Sequence, residues 1–129
     1  MSGLRFVLRP EFFCIHRLSP DREVDLDRLS AVSWYSITRT NDELSVIAPD
    51  DIYLGPGERQ TGWKCLQVGD ILDFAVVGVI AGISKILAEA NVSIFTVSTY
   101  NTDYILVRTS DIDTAVRALA AAGHVVIPG

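Results

Sequence analysis

The chain has 129 residues, 49% of them hydrophobic and 21% charged, which is enough apolar matter for a buried core and too little charge for a disordered chain. Its 16 acidic residues outnumber 11 basic ones for a net charge of −5, and the basic ones are scattered singly. A duplex binder needs clustered Lys and Arg to neutralise phosphates, so nucleic acid is not an expected partner.

The opening segment, MSGLRFVLRPEFF, has neither the long apolar stretch nor the small-residue cleavage site of a signal peptide. The longest apolar-plus-glycine run, Phe74 to Ile83, is about half of the ~20 residues that a membrane span needs. No membrane partner and a cytoplasmic location are expected.

Taken in order, Phe12 to Leu18 reads as a strand, followed by an acidic turn, Ser19-Pro-Asp-Arg-Glu23. Leu26, Leu29 and Val32 suggest a helix of two turns. Trp34 to Arg39 and Glu43 to Ala48 then form a hairpin around Asn41-Asp42. Pro49 to Thr61 carries Pro, Gly-Pro-Gly and charges, and reads as a loop or linker. The first half is therefore βαββ, the pattern of a truncated copy of the second half.

Trp63 to Val68, bounded by Gly62 and Gly69-Asp70, is a strand. Val79, Ile80, Ile83, Ile86, Leu87 and Ala90 recur on one face of a helix of three to four turns, and Asn91 tolerates the left-handed conformation that would stop it. Val92 to Thr99 is rich in β-branched residues. Tyr100-Asn-Thr102 is a short polar turn, and Asp103 to Thr109 returns as the other arm of a hairpin. Ser110 with Asp113 resembles a capping box for a helix whose buried stripe is Ile112, Ala115, Val116 and Leu119. Gly123 ends that helix, and His124 to Ile127 closes as a final strand. The order is βαββαβ, an α+β ferredoxin-like arrangement with an antiparallel sheet and both helices on one face.

Few residues point to chemistry. Counting from Asp21, the acidic stretch lacks the glycine of a calcium loop at the sixth position, Leu26, and its bidentate glutamate at the twelfth, Val32; a solvated turn with a capping Asp is expected instead. Gly55-Pro-Gly57 is no phosphate loop, because proline removes an amide donor and no helix comes directly after it. Gly78 and Gly82 in GxxxG spacing suggest close packing of a helix. His16 and His124 have no nucleophile motif beside them and are expected in structural roles. Cys14 and Cys65 lie in apolar runs without CxxC spacing, so buried reduced thiols are expected and no metal. Neither an enzyme nor a cofactor is expected.

Two loops hold more polar groups than turns need. One is Gly69-Asp70-Ile71-Leu72-Asp73-Phe74 with Val77-Gly78 at the start of the helix, where free amides attract a carboxylate and Gly78 lets a ligand approach the backbone. The other is Ser98-Thr99-Tyr100-Asn101-Thr102-Asp103, six hydrogen-bonding residues where a hairpin turn needs two.

Trp63 through Gly123 resembles ACT domains, in particular those of small bacterial ACT proteins and the CASTOR arginine sensors. The resemblance rests on Gly69-Asp-Ile-Leu-Asp-Phe-Ala75, Val77-Gly-Val79, Leu87-Ala88 with Ile94, and above all Ser98-Thr-Tyr-Asn-Thr-Asp-Tyr-Ile-Leu-Val107. It implies an ACT domain over 62–129 preceded by a truncated ACT-like subdomain and linker over 1–61. It further implies a regulatory protein that binds an amino acid at an interface between ACT domains, in a homodimer. Carried over, Asp70, Ile71, Leu72, Asp73, Phe74, Gly78 and Val79 would hold the ligand's carboxylate and amine. Ser98, Thr99, Tyr100, Asn101, Thr102 and Asp103 would offer side-chain contacts, with Asp103 facing a cationic group. Many family members have Gly-Pro where this chain has Gly69-Asp70, and an added carboxylate there would either repel the ligand's own carboxylate or favour a basic ligand side chain. The alternative is a structural dimerisation or protein-interaction module with no small ligand.

Overall fold

The computed structural model describes residues 3–69 and 78–129. Its contacts gather into two compact units, one of residues 11–63 and one of residues 1–10 with 64–129. The first ten residues thus group with the C-terminal unit, and not with the 1–61 subdomain expected from the sequence.

In the C-terminal unit, strand β1 (Arg5–Leu8) pairs antiparallel with β5 (Glu58–Val68), and parallel with β8 (Val125–Pro128). Strands β6 (Ile94–Ser98) and β7 (Asp103–Arg108) form an antiparallel hairpin, and β7 also pairs with β5. The sheet order is β6-β7-β5-β1-β8. The βαββαβ arrangement stands as expected, and the unit is α+β and ferredoxin-like. The sheet is mixed rather than purely antiparallel, because β1 inserts beside β8 and runs in its direction. That strand was missed in the sequence although Leu4, Phe6 and Leu8 alternate as a half-buried strand should.

Helices α2 (Val79–Glu89) and α3 (Ile112–Ala121) cover one face. Period-two positions Leu66, Val68, Ile105 and Val107 with Phe6 supply the sheet side of the core. Val79, Ile83 and Leu87 from α2, one turn apart, and Ala115 and Leu119 from α3 supply the helix side. Both helices end in the same way. Asn91 (φ 60°) follows α2, with Val92 N–H donating to Leu87 O (2.9 Å) and Asn91 N–H to Ala88 O (3.0 Å). Gly123 (φ 93°) follows α3, with His124 N–H donating to Leu119 O (3.0 Å) and Gly123 N–H to Ala120 O (3.0 Å). These are paired Schellman stops, one on each residue that the sequence marked as a terminator. The capping box of Ser110 and Asp113 does not form. A 3-10 turn over Thr109–Asp111 leads into α3, and no side chain caps it.

In the other unit, β2 (Phe13–Leu18) lies between β4 (Leu44–Pro49) and residues 58–63 of β5, and β3 (Ser36–Arg39) flanks β4. Leu18, Leu29, Leu44, Val46 and Ala48 form its core. Helix α1 (Leu26–Leu29) is a single turn instead of two, capped by the Asp25 carboxylate accepting from Asp27 N–H at 3.1 Å.

The expected linker is not one. Strand β5 begins at Glu58, five residues before Trp63, and the loop ahead of it is held to its own unit. The Arg22 guanidinium donates to Leu54 O (2.5 Å) and Pro56 O (2.8 Å), and Arg28 donates to Tyr53 O (2.7 Å). Ile52 and Leu54 pack against the core. Proline and glycine here shape a tethered loop, which composition alone does not distinguish from a free one.

Candidate functional site

The polar hairpin tip is built by its own residues. Thr99 N–H donates to Thr102 O at 2.9 Å and the Thr99 hydroxyl to the same oxygen at 3.1 Å, closing the turn between β6 and β7. Ser98 and Asp103 face each other as the last cross-strand pair, and the Ser98 hydroxyl donates to Asp103 Oδ1 at 2.6 Å. The Thr102 hydroxyl is buried and donates to Val68 O at 3.0 Å. Gly69 N–H in turn donates to Arg5 O at 2.7 Å. The tip is therefore fastened to the end of β5, beside Gly69, the last described residue before the first candidate loop.

Of the thirteen residues singled out in the sequence, Asp70, Ile71, Leu72, Asp73 and Phe74 lie outside the described residues. Tyr100, at 82% exposure, and Asn101 stand out at the tip. Asp103 is half-buried, its second carboxylate oxygen not engaged by Ser98. Thr102 faces inward, where its hydroxyl serves the sheet. Val79 is in the core beside Val68, so only its backbone is placed to meet a ligand.

Gly78 occupies the N-cap of α2 with φ 85°, a left-handed conformation that favours glycine, and a Cβ added there would meet open space. Without a capping side chain, the first-turn amides of α2 carry the partial positive charge of a helix start and suit a carboxylate. The described parts thus offer hydroxyls, an amide side chain, one carboxylate and a helix N-terminus. That is a set for hydrogen-bonding a small polar molecule.

Both histidines are buried, as expected of structural residues. Nδ1 of His124 accepts from Leu4 N–H at 2.9 Å, and its ring meets Phe6 edge-on at 5.7 Å, so it anchors the start of β1. Neither nitrogen of His16 has a hydrogen-bond partner, and burial, with Arg59 opposite on β5, holds its pKa below the ordinary value. Burial pushes the Cys14 thiol up, against the opposing pull of Arg59, which disfavours the reactive thiolate. Among the described residues no group of three His, Cys, Asp or Glu side chains could hold a metal, and no helix is long and apolar enough to cross a membrane.

One feature of the 11–63 unit has no signature in the sequence. Leu18, Val24, Tyr53 and Leu54 line an open cleft with Glu23, Asp25 and Arg28 around it. It forms because Arg22 and Arg28 draw the 53–56 backbone to them, contacts between distant residues that no local pattern signals.

Residues 58–121 match the family model described as ACT domain. The human protein named "Cytosolic arginine sensor for mTORC1 subunit 1" is 32% identical over 108 residues, covering 74% of this chain and 32% of that protein. Its Mus musculus counterpart is 31% identical over 101 residues, covering 70% and 30%. The chain thus matches about a third of the length of these curated relatives. An Agobacterium tumefaciens protein solved by X-ray crystallography superposes with a TM-score of 0.90 at 27% identity, covering 100% of this chain and 96% of that one. The ligand-free regulatory subunit of aspartate kinase from Thermus thermophilus superposes with a TM-score of 0.62 at 12% identity, covering 87% and 93%, a likeness of fold alone.

Proposed function

Residues 58–121 make this chain an ACT-domain protein, and on that premise we propose that it is a non-catalytic regulatory protein that binds an amino acid. The observation that carries the reading is the Thr102–Val68 hydrogen bond, which holds the Ser98–Asp103 tip against the end of β5. Binding needs groups pre-positioned on rigid elements, and this bond fixes a hairpin tip that would otherwise move freely. The relatives named as an arginine sensor support the choice of ligand class and of a regulatory role.

On this reading the amides at the start of α2 and the 70–74 backbone take the carboxylate, while Asp103 Oδ2 takes a cationic group. The protein acts in the cytoplasm, as its sensor relatives' name says of them, and a second copy completes the site in a homodimer. The 11–63 unit is then a remnant ACT-like repeat, and output passes through another molecule.

A purely structural module is the competing reading, favoured by the way Ser98, Thr99 and Thr102 bond among themselves. Thermal-shift measurement against the twenty amino acids separates the two. A ligand at about 100 times its Kd adds roughly 2.7 kcal/mol of stability. A melting temperature that no amino acid moves at millimolar concentration defeats the sensor reading and leaves the structural one.

A further inference from the structure

The cleft of the 11–63 unit is held open by its own contacts. Arg22 donates to Leu54 O at 2.5 Å and to Pro56 O at 2.8 Å. Gly55 lies between them, and a β-carbon there would collide with the Arg22 guanidinium. Asp25 caps α1 through one carboxylate oxygen and meets Arg28 Nε through the other at 3.5 Å. Arg28 Nη1 in turn donates to Tyr53 O at 2.7 Å, and the Arg59 guanidinium lies over the Tyr53 ring, 5.9 Å from its centroid.

These contacts leave one group of each sign unused. Among the described residues the Glu23 carboxylate has no hydrogen-bond or ion-pair partner, and neither has Nη2 of Arg28. Both residues border the cleft, whose floor is Leu18, Val24 and Leu54 and whose side is Tyr53, 55% exposed. Its volume is about 290 Å³. Small-molecule pockets run from roughly 300 to 1,000 Å³, so the occupant is small.

We propose that this cleft is a second ligand site, for a small zwitterion with an aliphatic side chain. Glu23 takes the ammonium group, Arg28 Nη2 takes the carboxylate, and the aliphatic body covers Leu18, Val24 and Leu54. A plain amine leaves the guanidinium unanswered, and a plain fatty acid leaves the carboxylate so, which is how the site discriminates. Walls already fixed by Arg22 and Arg28 spare the ligand the entropy of ordering them. Every residue of the site belongs to the 11–63 unit, so the inference does not rest on the amino-acid site proposed at the hairpin tip.

Titration of the full chain with L-leucine, followed amide by amide in nitrogen–proton correlation spectra, tests it. Saturable shifts are expected at Val24, Leu54 and Gly55 over a micromolar to ~10 mM series. Leucinamide, which lacks the carboxylate, and 4-methylpentanoate, which lacks the amine, should each bind about three- to tenfold more weakly at those amides. Glu23→Gln removes a carboxylate that bonds to nothing in the described fold, and should erase most of the advantage of leucine over 4-methylpentanoate. Tyr53→Ser removes the ring but keeps the carbonyl that Arg28 binds, and should weaken leucine by about fivefold.

Shifts confined to Gly78, Thr99 and Asn101 overturn the cleft and leave the hairpin site standing. Shifts at the cleft alone uphold it whatever becomes of the hairpin. No saturable shift at Val24, Leu54 and Gly55 overturns the proposal, as does leucinamide binding as tightly as leucine. A Glu23→Gln protein that keeps the full preference for leucine overturns it too.

Discussion

The hydroxyl of Thr102 donates a 3.0 Å hydrogen bond to the carbonyl of Val68, and so fastens the β6–β7 hairpin tip to the last residue of β5. Thr102 is 6% exposed and Val68 is 1% exposed, so water does not replace the bond if it is lost. Thr102→Val keeps the shape and removes the buried donor to Val68 O. Chemical denaturation should show a loss of about 1–3 kcal/mol. Hydrogen exchange should also show faster opening of the Thr99 amide than in wild type, because the turn loses its anchor.

Asp103 is the only carboxylate of the hairpin tip, and among the described residues only one of its oxygens is engaged, by Ser98. Asp103→Ala removes that bond at a partly exposed site, at a cost of less than about 1 kcal/mol. A thermal shift produced in wild type by a cationic amino acid should disappear in this variant, with unfolding in buffer nearly unchanged. A shift that survives takes Asp103 out of the site.

Asn91 holds φ 60° to close the Schellman stop of α2. Asn91→Ala puts a β-carbon into that left-handed conformation and should cost about 1–2 kcal/mol by thermal denaturation. Asn91→Gly meets no such penalty and should lie within about 1 kcal/mol of wild type. Equal stabilities for the two variants would remove the conformational explanation.

His16 predicts how stability follows pH. Burial and then Arg59 lower its folded pKa from 6.5, so the unfolded chain takes up the proton first as acid is added. Its contribution is fully present above about pH 6.5 and is lost as pH falls from there through the lower folded value. His16→Leu fills the same buried site without an unpartnered ring. It should be more stable than wild type by about 1–3 kcal/mol near neutrality, and its urea midpoint should fall less between pH 7 and 5. Parallel pH profiles for the two proteins would show that His16 does not carry the effect.

What could be read from the sequence was what neighbours along the chain decide. The spacing of Val79, Ile83 and Leu87 and the stops at Asn91 and Gly123 are local, and all appear in α2 and α3 as expected. Alternation and the polar turn likewise located the β6–β7 hairpin. The Ser98–Val107 string, an identity and not a periodicity, pointed to the ACT family that the 58–121 match bears out.

Tertiary structure decided what depends on residues far apart. The β1 segment gains a reason to be a strand only between β5 and β8, with Leu4 N–H held by His124. A loop rich in proline and glycine is tethered only because Arg22 and Arg28 reach its carbonyls. The polar run 98–103 looked uniform, yet the fold turns Thr102 inward to Val68 and leaves Tyr100 and Asn101 outside. Side-chain direction there is set by which buried carbonyl needs a donor, and that need exists only once β5 and the hairpin lie side by side.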